Sequence, residues 1–242
     1  MRHVLFRLRG VAIHSYPAFL FLGVTFGVLA GTRAGTDWGL DPTRLYVATV
    51  ILVIPALAGS RLLYVVTHWS FFRQRPSQIW ARENSGGMLY GGFLLALVSS
   101  WPLLRLLELP LGEFWDAGMV ALLVGMVFTR IGCTLHGCCA GRCTTGWLAL
   151  DLRNDRGERC RRFPSQLLEA ALAVSLIVVA IAWDDRPFGG SFFLAALIAY
   201  ATARLPLAAL RETSDKIRGV NVTQAISVLL IATSVFAMAV MR

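Results

Sequence analysis

Seven stretches of this chain approach the length that an α-helix needs to cross a bilayer, about 20 mostly apolar residues at about 1.5 Å of rise each. They run roughly from Tyr16 to Ala30, Leu45 to Thr67, Gly86 to Leu104, Phe114 to Gly132, Ser165 to Trp183, Gly190 to Leu210 and Asn221 to Met241. Pro55 marks a kink in the second, Pro164 suits the first turn of the fifth, and Arg204 and Pro206 interrupt the sixth. Only 15% of the 242 residues are charged and 56% are hydrophobic, with mean hydropathy +0.63. A soluble domain of this length is far more polar. The expected fold is therefore an all-α, polytopic integral membrane protein of about seven transmembrane helices. Six tryptophans (38, 69, 80, 101, 115 and 183) fall near the ends of these stretches, where indoles favour the membrane–water interface.

The chain reads as a single transmembrane domain over residues 1–242, with 142–163 as its main extramembrane loop. That loop begins with alternating character over Thr145–Leu152 and turns at Asn154–Gly157, which predicts a small hairpin capping the bundle. The N-terminal run with Arg2, Arg7 and Arg9 ahead of an apolar stretch has two readings: a signal peptide ending near Val28–Ala30, or the flank of a first transmembrane helix. The net charge of +9 is nearly all arginine, Lys216 being the only lysine. Codon bias is one cause; bidentate phosphate binding by guanidinium is another. The basic residues are spread over short loops rather than one soluble face, which argues against nucleic acid and for anionic lipid.

The run Arg130-Ile131-Gly132-Cys133-Thr134-Leu135-His136-Gly137-Cys138-Cys139-Ala140-Gly141-Arg142 carries the densest chemistry. Guanidiniums at a membrane boundary are costly without an anion or a partner, and glycines let a ligand approach the backbone. The five cysteines (133, 138, 139, 143 and 160) and His136 leave several readings open. Their spacing lacks a repeated CxxC pair, so no metal is assigned, although zinc stays as an alternative. A Cys143–Cys160 disulfide would close the polar loop if that loop lies in an oxidising compartment. Packing or free thiols is the remaining reading.

Several islands together resemble the prolipoprotein diacylglyceryl transferase family. These are Gly59-Ser60-Arg61-Leu62-Leu63-Tyr64, Gly86-Gly87-Met88-Leu89-Tyr90-Gly91-Gly92, the Arg130–Arg142 run, Phe163-Pro164-Ser165-Gln166-Leu167-Leu168-Glu169, and Arg211-Glu212-Thr213-Ser214-Asp215 followed by Thr223-Gln224. Tyr16 and Asp116 also stand where the family places a tyrosine and an aspartate. The chain departs from the family pattern at four positions. Tyr90 and Phe163 replace histidines, and Cys133 and Cys138 replace an asparagine and a glutamate.

The resemblance implies transfer of a diacylglyceryl group from phosphatidylglycerol to the thiol of a lipobox cysteine in a prolipoprotein signal peptide, with glycerol phosphate released and no cofactor. This is the first step of bacterial lipoprotein maturation. It implies Arg130 and Arg211 on the phosphate and Tyr90 in proton handling. Tyr16, Arg61, Gly91, Gly92, Cys133, His136, Cys138, Arg142, Gln166, Glu169 and Asp215 would line the substrate site. Read without the resemblance, Arg130 and Arg211 are snorkelling arginines, Tyr90 is an interfacial anchor, and Ser165 and Glu169 stabilise a helix start. Gln166 and Glu169, three apart, share a helix face, and Asp215 would pair with Arg211 or Arg218.

Seven helices put the termini on opposite sides. Counting arginines places the N-terminus inside. The resemblance implies the reverse: a bacterial inner-membrane protein with its N-terminus outside, its C-terminus cytoplasmic and its site facing the extracytoplasmic side. The alternative to an enzyme is a paralogue of this fold that binds anionic phospholipid or a lipidated partner. A transporter has less support, since no acidic or histidine relay lies at a helix centre.

Overall fold

The computed structural model describes residues 4–8, 11–80, 88–154, 156–183, 185–212, 216–217 and 220–241. Seven of its helices are long and apolar enough to cross a bilayer, and the chain is a polytopic, mostly helical membrane protein. A short antiparallel hairpin, β1 (Val4–Leu8) and β2 (Val11–His14), leads into α1 (Ser15–Asp37). Next come α2 (Pro42–Thr67), the single turn α3 (Trp69–Phe72) and a 3₁₀ turn over Pro76–Trp80. Helices α4 (Leu89–Leu106) and α5 (Leu111–His136) precede a second hairpin, β3 (Leu150–Arg153) with β4 (Arg159–Arg162). The chain finishes with α6 (Ser165–Ala182), α7 (Ser191–Ala209), the two-residue strands β5 (Lys216–Ile217) and β6 (Val220–Asn221), and α8 (Val222–Met241).

Helix α1 is longer than its hydropathy suggests and runs unbroken through Val28–Ala30. Its buried residues are Ser15 and four glycines spaced four apart, Gly23, Gly27, Gly31 and Gly35. That spacing lines one helix face, and it lets α5 approach to backbone contact. A Cβ on Gly27 would lie 2.6 Å from the Ala121 carbonyl oxygen, and one on Gly23 would lie 2.9 Å from that of Gly125. Gly132 meets Phe19 while Gly35 meets Ala117, so α1 and α5 are antiparallel. Helices α2 and α4 close in the same way. Gly91 faces the Gly59 carbonyl, and a Cβ on Gly92 would lie 2.5 Å from the Ala56 oxygen. Gly91 and Gly92, expected from the resemblance to line the substrate site, thus make a helix–helix contact.

The apolar core lies between the site and the far end of the bundle. Leu45, Leu104, Phe114, Leu123 and Phe192 are its largest fully buried side chains. At the far end Asp116 caps α7, accepting hydrogen bonds from the amides of Gly190 (3.0 Å) and Phe193 (2.7 Å). Fourteen residues separate it from Arg130 on α5, about 21 Å along the axis. Asp116 is therefore a packing residue at the other face. The N-terminus of α1, the C-terminus of α5, the β3–β4 hairpin, the start of α6, the end of α7 and the start of α8 all share one face.

A buried three-arginine site at one end of the bundle

Glu169 organises this face. It sits one turn into α6, has no exposed surface, and is reached by three guanidiniums. Arg130 Nη2, from the last turns of α5, lies 2.7 Å from Glu169 Oε2. Arg211 Nη2, just past α7, donates to Glu169 Oε1 at 2.7 Å. Arg204 Nη1, from within α7, donates to the same oxygen. The carboxylate neutralises one of the three cations, which leaves two positive charges in excess. Arg130 and Arg204 are only 8% and 7% exposed, so little water screens that excess. The Nε groups of Arg130, Arg204 and Arg211 and the hydroxyl of Tyr200 are buried without hydrogen-bond partners among the described residues. Buried polar atoms are nearly always paired, so a set of orphaned donors around surplus positive charge marks a place for an anion.

The turn after α5 builds the wall beside these arginines. The helix stops at His136 because Gly137 adopts a left-handed φ of +88° and returns its amide to the Cys133 carbonyl at 2.8 Å. Cys139 and Cys143 therefore lie beyond the helix rather than one turn apart on it. Cys139 also has a positive φ, +59°. Gln166 is buried and donates to the Cys138 carbonyl at 2.9 Å, and Ser165 donates to that of Cys139 at 3.1 Å. The sulfurs of Cys133, Cys138 and Cys139 lie within 4.8 Å of one another. Hydrogen bonds from the Cys133 and Cys138 thiols, and then the charges of Arg130 and Arg211, push the Cys139 thiol below its ordinary range. The same shared hydrogen bonds push Cys138 up.

The segment after Cys139 fixes Arg211. The Glu212 amide donates to the Ala140 carbonyl (3.1 Å) and the Arg142 amide to that of Leu210 (2.9 Å). Arg142 Nε donates to the Arg211 carbonyl at 3.1 Å. Arg162, 1% exposed, pairs with Glu212 at 2.7 Å and donates to the Gly141 carbonyl at 3.2 Å. Asn154 Nδ2 reaches Glu158 at 2.8 Å and Glu212 at 3.5 Å. A Cys143–Cys160 disulfide, 17 residues apart in sequence, joins the two arms of this loop. Trp147, at the loop's outer edge, is 89% exposed.

The other sequence-derived candidates divide. Tyr90 is buried at the start of α4, with its hydroxyl 3.2 Å from Ser227 Oγ on α8, and it lies within electrostatic reach of Arg204. Tyr16 is half-buried, its ring 6.3 Å from that of His136, and it is within electrostatic reach of the three clustered cysteines. Arg61 does not join the arginine trio in the contacts described. It donates to the backbone carbonyls of Ile79 (2.6 and 2.9 Å) and Gln78 (3.3 Å) and stacks on Tyr64 and Phe72, holding the 3₁₀ turn. Arg142 is likewise engaged with backbone, as described above. Arg211 pairs with Glu169; the expected pairing of Asp215 with Arg211 or Arg218 lies outside the described residues, as do Gly86 and Gly87. Sequence reasoning missed Arg204 and Tyr200 as site residues. In the sequence Arg204 only interrupts a helix; a lone arginine within an apolar stretch is the available signal.

Fold and site together define a polytopic membrane protein with a buried arginine cluster drawn from distant parts of the chain. The chain belongs to the prolipoprotein diacylglyceryl transferase family, whose match covers residues 3–240. It is 32% identical over 158 residues to the phosphatidylglycerol–prolipoprotein diacylglyceryl transferase 2 of Clostridium perfringens, a match over 62% of this chain and 59% of that protein. It is 25% identical over 240 residues to the phosphatidylglycerol–prolipoprotein diacylglyceryl transferase of Dehalococcoides mccartyi, over 96% of this chain and 90% of the relative. With the similarly named protein of Tropheryma whipplei it shares 27% identity over 226 residues, 85% of this chain and 80% of the other.

Proposed function

We propose that this protein is a transferase that moves the diacylglyceryl group of phosphatidylglycerol to the thiol of a lipobox cysteine in a prolipoprotein, with the phosphodiester seated against Arg130, Arg204 and Arg211. The observation that carries the assignment of the site is the unbalanced trio on Glu169. Sulfur attacks the glyceryl carbon that bears the phosphate; the C–O bond breaks and its electron pair leaves on glycerol phosphate. Negative charge grows on the departing phosphate, and preorganised guanidiniums in a dry pocket stabilise that growth. Glu169 does not touch the substrate in this scheme. It holds three cations at one point that would otherwise repel one another. Tyr200 donates to the phosphate. Tyr90, buried across from Ser227, hydrogen-bonds at the same pocket and handles the proton.

The protein works in a bacterial inner membrane with its N-terminus outside and its site facing the extracytoplasmic leaflet, where translocated precursors arrive. The Cys143–Cys160 disulfide supports that side, because disulfides persist in oxidising compartments. The arginine count favours the opposite orientation, but the site-face arginines engaged with Glu169, Glu212 and backbone carbonyls are not free topogenic charges.

The test gives purified protein phosphatidylglycerol and a lipobox peptide. Lipidated peptide with the parent chain, and its loss with Arg130→Ala and Arg211→Ala, is the expected result. Retained binding of anionic lipid with no product would replace the enzyme by a lipid-binding paralogue.

A further inference from the structure

The transferase reading requires the acceptor thiol to become a thiolate, since the thiol itself is a weak nucleophile near neutral pH; Tyr90 relays the proton, and a group that acidifies the thiol would supply the drive. Next to the arginine site, three thiols converge. Cys133 comes from the last turn of α5, with Cys138 and Cys139 from the turn that follows. Their sulfurs lie within 4.8 Å of one another, and Cys133 is 2% exposed. A tetrahedral zinc site has Zn–S bonds of about 2.3 Å, hence sulfur–sulfur edges of about 3.8 Å. Sulfurs no more than 4.8 Å apart stand within about 1 Å of that edge. Its framework is held from behind: Gln166 and Ser165 grip the carbonyls of Cys138 and Cys139.

We propose that Cys133, Cys138 and Cys139 bind a thiophilic divalent cation of the zinc type, whose fourth position takes the acceptor cysteine of the peptide substrate as a thiolate. The inference rests on the transferase reading for its substrate. Three protein ligands and one open position is the arrangement of catalytic zinc, and a coordinated thiol loses its proton outright. Charge is consistent with the surroundings. A divalent ion with three thiolates carries one negative charge, and a phosphodiester carries another. With the fourth position empty these match the two positive charges left over by Arg130, Arg204, Arg211 and Glu169; the acceptor thiolate adds one negative charge, which is lost again when its sulfur becomes a neutral thioether.

The step balances without an oxidant or reductant. The peptide thiol gives its proton, by way of Tyr90, to solvent as sulfur joins the metal. The metal-bound sulfur then forms the C–S bond to the glyceryl carbon while the C–O bond breaks, and the leaving phosphate monoester takes up a proton. The product thioether is a weak ligand for such an ion and departs.

Cobalt(II) is a spectroscopic substitute for this class of ion. Protein purified with the Cys143–Cys160 disulfide intact and the other thiols reduced is titrated with cobalt(II) in nanodiscs. The expected result is one ion per chain with thiolate charge-transfer bands, which weaken in each of Cys133→Ser, Cys138→Ser and Cys139→Ser. A lipobox peptide shifts the bands of the parent protein towards four-thiolate character, and the same peptide with serine in place of cysteine does not. This last comparison needs no variant to fold. The inference is overturned by absence of stoichiometric uptake, by bands that persist in the triple variant, by a spectrum indifferent to the cysteine peptide, or by chelator-treated protein that transfers at the full rate. That last result leaves the transferase reading standing. Metal uptake and peptide ligation with no transfer from phosphatidylglycerol support the metal site and overturn the transferase reading instead.

Discussion

Arg130 and Glu169 meet at 2.7 Å across the whole of the 137–164 connection, the arginine from the end of α5 and the carboxylate from the start of α6. Neither is exposed to any useful extent, so the pair is a tertiary contact that pins two helices at the site face. The same carboxylate then collects Arg204 and Arg211 from the end of α7.

Glu169→Gln should therefore damage both stability and activity. Removing one partner of a buried ion pair costs about 3–5 kcal/mol, and here three like charges are left facing one another. Thermal melts in detergent should show a lower Tm, and lipidation assays should show loss of product. Arg204→Lys tests the same cluster more gently, since a lysine cannot keep a guanidinium fork on both Glu169 and a phosphate. Its Tm should stay closer to the parent while turnover falls about 100-fold. Parent-like turnover in Arg204→Lys would remove that side chain from the phosphate site.

The two buried phenols separate by function. Tyr200 has no partner for its hydroxyl among the described residues, whereas Tyr90 faces Ser227. A hydrogen bond to a charged group contributes about 1.5–3 kcal/mol, so Tyr200→Phe should lower kcat/KM by about 10- to 100-fold without lowering Tm. Tyr90→Phe should abolish transfer if the phenol handles the proton. Unchanged turnover would leave it as a packing residue between α4 and α8.

The glycine seam between α1 and α5 predicts a purely mechanical defect. Gly27→Val puts three carbons where a Cβ alone would lie 2.6 Å from a carbonyl oxygen. Overpacking of this kind costs about 1–3 kcal/mol. Gly27→Ala should be milder, and both should lower Tm in detergent more than they change the KM of the folded fraction. An unaltered melting curve for Gly27→Val would mean that the two helices are not in backbone contact.

Cys143→Ser with Cys160→Ser opens the loop that anchors Arg211. A loop of this length contributes about 3 kcal/mol through chain entropy, much of it local to 142–163. Limited proteolysis should nick the double variant between β3 and β4 far faster than the parent. Transfer should fall several-fold because the Leu210–Glu212 segment hydrogen-bonds to this loop. Cleavage at the parental rate would show that the remaining hydrogen bonds hold the hairpin alone.

A carboxyl-terminal reporter after Arg242 should read as cytoplasmic. An extracytoplasmic signal would reverse the orientation and put the arginine site on the side of the cytosol.

Hydropathy made the seven helices legible to within a few residues at most ends, because a bilayer demands long apolar runs and the chain supplies them. It understated α1, whose glycines and threonines lower hydropathy while allowing close packing. The site was legible where several polar residues recur in one short run, as with Arg130, Gln166 and Glu169. It was illegible where the meaning of a residue depends on what stands opposite. Arg204 looks like a break in a helix until α6 brings Glu169 beside it. Arg61 looks like a headgroup ligand until the 76–80 turn folds its carbonyls over it. The contact that Gly91 and Gly92 make shows only once α2 lies against them. Helix register and crossing, which decide all three, leave little trace in a single sequence.

The way α1 meets α5 sets an uneven tolerance to change along this polypeptide. A helix that rests its peptide oxygens on its neighbour has no side chains there to trim or exchange, so drift at Gly23, Gly27 and Gly31 is closed in the direction of any larger residue. The outward rims of the same helices, with Phe21, Phe26 and Leu29 exposed to the acyl chains, can exchange one greasy residue for another at small cost. Relatives of this protein should therefore differ freely around the circumference and keep their narrowest residues on a single internal line.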